Sequence, residues 1–200
     1  DVQVTLHPYN KFGFGWSFDD HELFSLEIAN NHPTSRGRVG LSSADPLAPA
    51  AVTHPYLRDD ADIKPLAWAL EEMRRIMYYP PLADHGLKEL LPGPVVETAP
   101  DLEDYIRCGS TLFRKETGEC DMKQLPANHL AGTCKMGDET DPTSVVDRKL
   151  RVIGVHGLRV ADASVMPTLP SGNTHATCMM IGERAAQFVL DDLAAARSSK

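Results

Sequence analysis

Apolar and polar residues alternate through the opening stretch "DVQVTLHPY", and the same two-residue period returns at 23–30 and, more briefly, at 38–42. Successive strand side chains point to opposite faces, so these runs predict strands with one covered face. Gly37 and Gly40 in "PTSRGRVGLSSADP" mark where the backbone turns into and out of the third run. Residues 45–62, rich in proline, alanine and aspartate, read as a loop. The period then changes. Leu66, Leu70, Met73 and Met77 recur at helical spacing and predict a core-facing helix over 63–79, with Pro65 in its first turn and Pro80 and Pro81 ending it. A second helix is predicted over 101–112, capped by Asp101, with Leu102, Tyr105 and Ile106 on one face.

The charged, turn-rich residues 113–127 read as an extended loop. Two β-type runs, 151–155 and 158–160, flank a glycine turn. After Pro170, turn residues lead into a long helix whose period is marked by Ile181, Ala185, Phe188 and Asp192. The predicted class is α+β: an antiparallel sheet forming a floor, with the first two helices packed on one side of it.

Composition narrows the function classes. With 200 residues and 42% hydrophobic content, the chain can bury one substantial core or form half of a larger protein. A net charge of -8 and a pI near 5.4, with no cluster of Lys and Arg, argue against a nucleic-acid partner. No apolar run approaches the roughly 20 residues of a membrane span. The opening strand reads as already inside a domain, which leads us to expect sequence upstream of Asp1. Cys108, Cys120, Cys134 and Cys178 form no CxxC pair, so the expectation is reduced, partly buried thiols and a cytoplasmic protein.

Three places could carry chemistry: His129 in "NHLAGTCKMG", the turn from Gly172 to His175, and Asp162 in "VADAS". Each has a plainer reading, as a hydrogen-bonded structural histidine, a helix cap at Asn173 and a turn aspartate. His129 and Cys134 alone are too few ligands for zinc, and no GxSxG announces a serine nucleophile. Cys134 has no nearby thiol and sits in an apolar context. No metal site is expected.

Jointly the motifs say more. "HLAGTCKMG" followed by "VVDRKLRVIGVHGLRVADASVMPTLPSGNTHATCMMIGERAA" resembles the C-terminal portion of the glucose-methanol-choline (GMC) oxidoreductases, above all the choline-dehydrogenase-like alcohol dehydrogenases. The strong resemblance covers about residues 128–190, with weaker support from "HPTSRGRVGLSSADP". It implies a two-domain FAD enzyme that oxidises a primary or secondary alcohol. Residues 1–127 would then belong to the substrate-binding domain and 128–200 to a catalytic, FAD-contacting segment. The last helix would return to a Rossmann-like FAD domain, and that helix's uncovered apolar face would call for a partner.

By the same resemblance His129 takes the alcohol proton and Asn173 stands beside it, Asp162 and Ala163 lie along the FAD, and Thr174 and His175 meet the flavin ring, with His175 an alternative partner for His129. The types suit the chemistry, because hydride leaves carbon readily only when negative charge has gathered on oxygen. An imidazole can accept the hydroxyl proton and an amide can donate to the alkoxide. The GxGxxG cradle of the FAD pyrophosphate is absent, since "GFGWS" lacks the third glycine. The expected partners are therefore an alcohol and an FAD-binding half, on the same protein or on a complementary chain, and the 200 residues alone should be inactive. Residues 113–127 read as an insertion that covers the pocket, touches a partner, or is merely tolerated. Two other readings stand beside the oxidoreductase: a flavin-containing hydroxynitrile lyase of the same fold, and a non-catalytic subunit.

Overall fold

The computed structural model describes residues 1–12, 15–17, 23–108, 113–114, 119–120 and 128–198. Its contacts divide the chain into two compact units, Asp1–Ala127 and Asn128–Lys200.

In the first unit, β1 (Val2–His7) pairs antiparallel with β4 (Ser25–Asn30), Val2 opposite Asn30 and His7 opposite Ser25. Three shorter antiparallel pairs follow: β2 (Asn10–Phe12) with β3 (Gly15–Ser17), β5 (Arg38–Gly40) with β6 (Ala51–Thr53), and β7 (Phe113–Arg114) with β8 (Glu119–Cys120). Antiparallel pairing agrees with the expected class, but a single floor does not form. Among the described residues the strands make four separate two-stranded ladders. The linkers explain this. Residues 33–36 have their backbone groups taken by side chains: Asp62 accepts from the Thr34 and Ser35 N–H groups, and Arg36 Nη1 donates to the carbonyls of Pro33, Thr34 and Ser35. A backbone already bonded to side chains offers no ladder to a further strand. Gly37 is a close approach, since a Cβ there would lie 2.4 Å from the Thr53 carbonyl oxygen. Gly40 faces open space, contrary to the expectation from sequence.

The first helix, α1, runs Asp60–Met77. It begins three residues earlier than its apolar stripe implies because Asp59 is the cap, accepting from Ala61 N at 2.9 Å. Asp60 and Asp62 in its first turn and Arg74 and Arg75 in its last suit the helix dipole. Pro65 consequently falls in the second turn. The second helix, α2 (Ala99–Arg107), is shorter than expected. Its cap is Thr98, and Asp101 is the reciprocal member of a capping box: Asp101 N donates to Thr98 Oγ1 at 3.3 Å and Thr98 N to Asp101 Oδ2 at 3.0 Å. The two helices close a core of Ile63, Ala67, Val96, Leu102, Tyr105 and Ile106, with Leu57, Leu66 and Leu70 packed against it. Burial, helped by the Glu89 carboxylate, pushes the Tyr105 phenol up to about 12. Cys108, directly after α2, is disulfide-bonded, which corrects the expectation of thiols throughout; Cys134 and Cys178 are free. Part of the predicted loop 113–127 is strand, in β7 and β8, and the remainder lies outside the described residues.

The second unit is irregular from 128 to 174. The predicted strands at 151–155 and 158–160 are present only as isolated bridges, Arg151 opposite Arg159 and Val146 opposite Val152. A 3-10 turn spans Ala163–Val165, and the helix α3 runs His175–Ser198. Ile181, with Cys178, Ala185 and Phe188 beside it, packs on Val146, Leu150, Val165 and Met166. Val146 and Val165 are fully buried, each contributing about 1.5–3 kcal/mol relative to exposure. Asp192, on the same face, receives Arg159 Nη2 at 2.7 Å. Together these contacts fix one side of α3.

Asp62 is 3% exposed and takes Thr34 Oγ1 at 3.0 Å and Ser35 N at 3.0 Å, besides Thr34 N. Burial pushes its carboxyl up, but the hydroxyl and N–H donors of Ser35 and Thr34 together outweigh burial and hold it below the ordinary carboxylate value. A depressed folded-state pKa stabilises above the unfolded value, and that stability disappears as pH falls through the folded value. Asp62→Asn is expected to cost the first unit about 2–4 kcal/mol near pH 7, since hydrogen bonds to a buried charge are worth ~1.5–3 kcal/mol each. Urea unfolding from pH 7 down to pH 2 should show the two proteins converging in acid; equal stability at pH 7 contradicts this.

Candidate active site

His129 stands at the start of the second unit, on a chain segment that has neither helix nor strand. Its placement comes from both sides. Before it, Asn128 has φ +57°, a left-handed conformation that asparagine tolerates better than most residues. After it, the segment is laced to the 3-10 turn by alternate backbone N–H groups: Gly132 N to Ala163 O at 3.3 Å, Cys134 N to Ser164 O at 2.9 Å and Met136 N to Val165 O at 2.9 Å. Gly132 has φ +85°, and a Cβ on it would lie 3.2 Å from the Met166 carbonyl oxygen. The turn that receives these bonds is itself held by Asp162, whose side chain accepts from Ser164 N at 2.8 Å. Val165 and Met166 beneath it are buried.

The other wall is the start of α3. Asn173 was the expected helix cap, but the helix begins at His175 and its first bond runs from Cys178 N to Thr174 O at 2.9 Å. Thr174 is therefore the cap residue and Asn173 lies one step outside. Two adjacent candidates of the cap type make this placement illegible in sequence. The Asn173 amide instead faces His129. Its Nδ2 lies 2.9 Å from His129 Nε2, and Thr174 Oγ1 lies 3.0 Å from His129 Nδ1. Both ring nitrogens are thus taken by residues 44 and 45 positions away in sequence.

The structure brings His129, Asn173 and Thr174 together. His175, the first residue of α3, is exposed, and no hydrogen bond joins it to His129 among the described residues. Asp162 and Ala163 hold the turn: the Asp162 side chain caps it, and the Ala163 carbonyl accepts from Gly132 and Met166. Sequence reasoning missed Asn128 and Gly132 as the residues that aim His129. The visible signal for Gly132 was a glycine three residues after the histidine. For Asn128 there was only the residue type.

The first-turn N–H groups of a helix have no acceptors within it and carry partial positive charge. In α3 no acidic residue in the first turn offsets that charge. An imidazole, an amide and a positive helix end thus share one place, where a hydroxyl proton can be accepted and a negative oxygen stabilised.

Residues 33–182 match the family of GMC oxidoreductases. The chain belongs to the GMC oxidoreductase family. It is 40% identical over 161 residues to the glucose dehydrogenase [FAD, quinone] of Drosophila melanogaster, covering 79% of this chain and 24% of that protein. It is 39% identical over 167 residues to the alcohol dehydrogenase [acceptor] of Pseudomonas putida, covering 84% and 27%. Choline dehydrogenases match at 32% to 36% identity. Among solved structures it resembles pyridoxine 4-oxidase from Mesorbium loti, with a TM-score of 0.69 at 32% identity over 86% of this chain and 31% of that one. The chain spans about a quarter to a third of the length of the curated relatives it matches.

The GMC chain places heavy demands on one glycine. Gly132→Ala is expected to destabilise the second unit by about 1–3 kcal/mol, from the left-handed backbone and the Met166 carbonyl together. Chemical denaturation followed alongside the His129 ring resonances checks it. A variant of unchanged stability with unmoved resonances would show that the lacing does not depend on this backbone geometry.

Proposed function

We propose that the protein containing this chain oxidises a primary or secondary alcohol to a carbonyl with FAD, His129 and Asn173 being the catalytic pair. The carrying observation is the 2.9 Å approach of the Asn173 amide nitrogen to the His129 ring nitrogen. A hydroxyl is both donor and acceptor, so it can enter this bond by giving its proton to Nε2 and accepting from Nδ2–H. His129 then holds the proton, and Asn173 stabilises the alkoxide that remains. When bound, FAD supplies the acceptor for the hydride that leaves the alcohol carbon.

The residues present fit a flavin. The donor set is a helix end whose first-turn N–H groups have no intrahelical acceptor, with no carboxylate in that turn, which favours a ring that gains negative charge. In this reading Asp162, Ala163, Thr174 and His175 border the FAD. The family and the relatives named above support the same reading.

An FAD-binding half, on the same polypeptide or on a complementary chain, is part of the proposal. Cys178, Ile181, Ala185 and Phe188 cover one face of α3, while Met179, Val189, Leu190 and Leu193 form a second apolar face that is exposed. A helix apolar on two faces is built to be buried on both.

The test is anaerobic reduction of the flavin in the full-length protein by a panel of alcohols. Bleaching is expected with at least one of them, and His129→Ala should slow it about 10²- to 10⁴-fold, the usual worth of a positioned base. The 200-residue chain alone should show negligible turnover. Bleaching by His129→Ala at the parent rate would reject the role given to the histidine. A flavin that stays oxidised while a cyanohydrin is cleaved would assign the lyase reaction instead.

A further inference from the structure

We propose that Thr174 is a positioning residue: its hydroxyl accepts the Nδ1 proton of His129 and so fixes the ring as the tautomer whose Nε2 lone pair faces Asn173. The tautomer is inferred from the orientation of the Asn173 amide and the Thr174 contact, and only its consequence for turnover rests on the alcohol oxidation proposed above.

An amide nitrogen has protons to give and no lone pair to receive one. With the Asn173 amide oriented nitrogen-first, Nδ2 lying 2.9 Å from the ring, the bond requires Nε2 to be the unprotonated nitrogen. A neutral imidazole carries its one proton on the other nitrogen, so Nδ1–H is the donor at 3.0 Å to Thr174 Oγ1. The partners on the two sides agree on a single state. An Nε2–H ring would set two donors against each other across 2.9 Å.

Thr174 suits this task better than a residue on a loose turn. Its carbonyl makes the first bond of α3, to Cys178 N, which fixes its backbone to the helix. Its β-branched side chain has few rotamers, so a fixed backbone means a fixed oxygen. It is 8% exposed, which leaves little room for water to compete for the Nδ1 proton. A threonine at the cap commonly turns its hydroxyl to a first-turn N–H. Here the hydroxyl reaches the histidine instead, so the start of α3 and the orientation of the base are set by one residue.

The experiment uses the protein labelled with ¹⁵N-histidine, with His129 assigned by the loss of its signals in His129→Gln. Long-range ¹H–¹⁵N spectra above the titration range of histidine read the tautomer directly. The parent protein is expected to show Nδ1 protonated and Nε2 bare. Thr174→Val, nearly the same shape without the acceptor, should lose that pattern, and Thr174→Ser should keep it. In anaerobic flavin reduction Thr174→Val should fall about ten- to a hundredfold, as for other losses of a partner that orients a histidine, with Thr174→Ser restoring most of the rate.

A parent spectrum with Nε2 protonated would overturn the proposal, and that measurement needs no variant to fold. A Thr174→Val spectrum identical to the parent would overturn it as well. Either result leaves the alcohol reading standing. Conversely, an intact Nδ1–H signature in a protein whose flavin no alcohol reduces would reject the reaction and keep the tautomer.

Discussion

The site depends on three backbone hydrogen bonds, from Gly132, Cys134 and Met136 to the turn at 163–165. No helix or strand carries His129, so without that lacing its ring would have no fixed address. The turn is held in turn by Asp162 from its own side and by the burial of Val165 and Met166 from below. Each backbone bond is worth about 0.5–1.5 kcal/mol net, comparable to the entropy of fixing one residue. The lacing alone therefore roughly breaks even. The apolar contact of the turn with Ile181 of α3 tips the balance toward order, linking the packing of the helix to the position of His129.

This division of labour explains what the sequence made legible. Elements set by periodicity were readable, namely β1, α1 and the buried stripe of α3, because a repeated apolar spacing survives small errors of boundary. Elements set by a single polar choice were not. α1 begins at Asp60 rather than 63 because Asp59 caps it while Asp62 is engaged by Thr34 and Ser35. α3 begins after Thr174 rather than Asn173, and either residue type would have served. The strands at 151–155 and 158–160 have the composition of a ladder but form only bridges, since Leu150 at φ +64° and Gly154 and Gly157 at positive φ keep turning the backbone away from extension. The pairing of His129 with 173 and 174 was open to motif resemblance but not to spacing, because it closes across more than forty residues of irregular chain.

The two faces of α3 answer to different demands. The face of Ile181, Ala185 and Phe188 meets the core of its own unit, and Arg159 closes its far end on Asp192. The second face carries Met179, Val189, Leu190 and Leu193, with Gly182 and Ala186 between them, and a Cβ on Gly182 would meet nothing within 4 Å. A glycine there costs an exposed helix about 0.5–1 kcal/mol relative to alanine. Among the described residues of this unit nothing packs against that position. The FAD-binding half proposed above, packed on that face, would bring another backbone close to the helix at this point.

Both partners of the His129 ring are neutral, so in the proposed chemistry they orient the ring without adding a charge of either sign. A carboxylate at Nδ1 would hold the same tautomer more firmly than a hydroxyl does. It would also put a full negative charge roughly 6 Å from the oxygen that is becoming an alkoxide. At an effective dielectric near 20 that repulsion is roughly 3 kcal/mol, and it is offset by the carboxylate's closer attraction for the imidazolium formed in the same step. A hydroxyl gives direction to the ring without that opposing charge. In the proposed reaction the positive end of α3, with no acid in its first turn, would act on the alkoxide as well. Thr174 thus separates, in that proposed reaction, the orientation of the base from the electrostatics of the alkoxide.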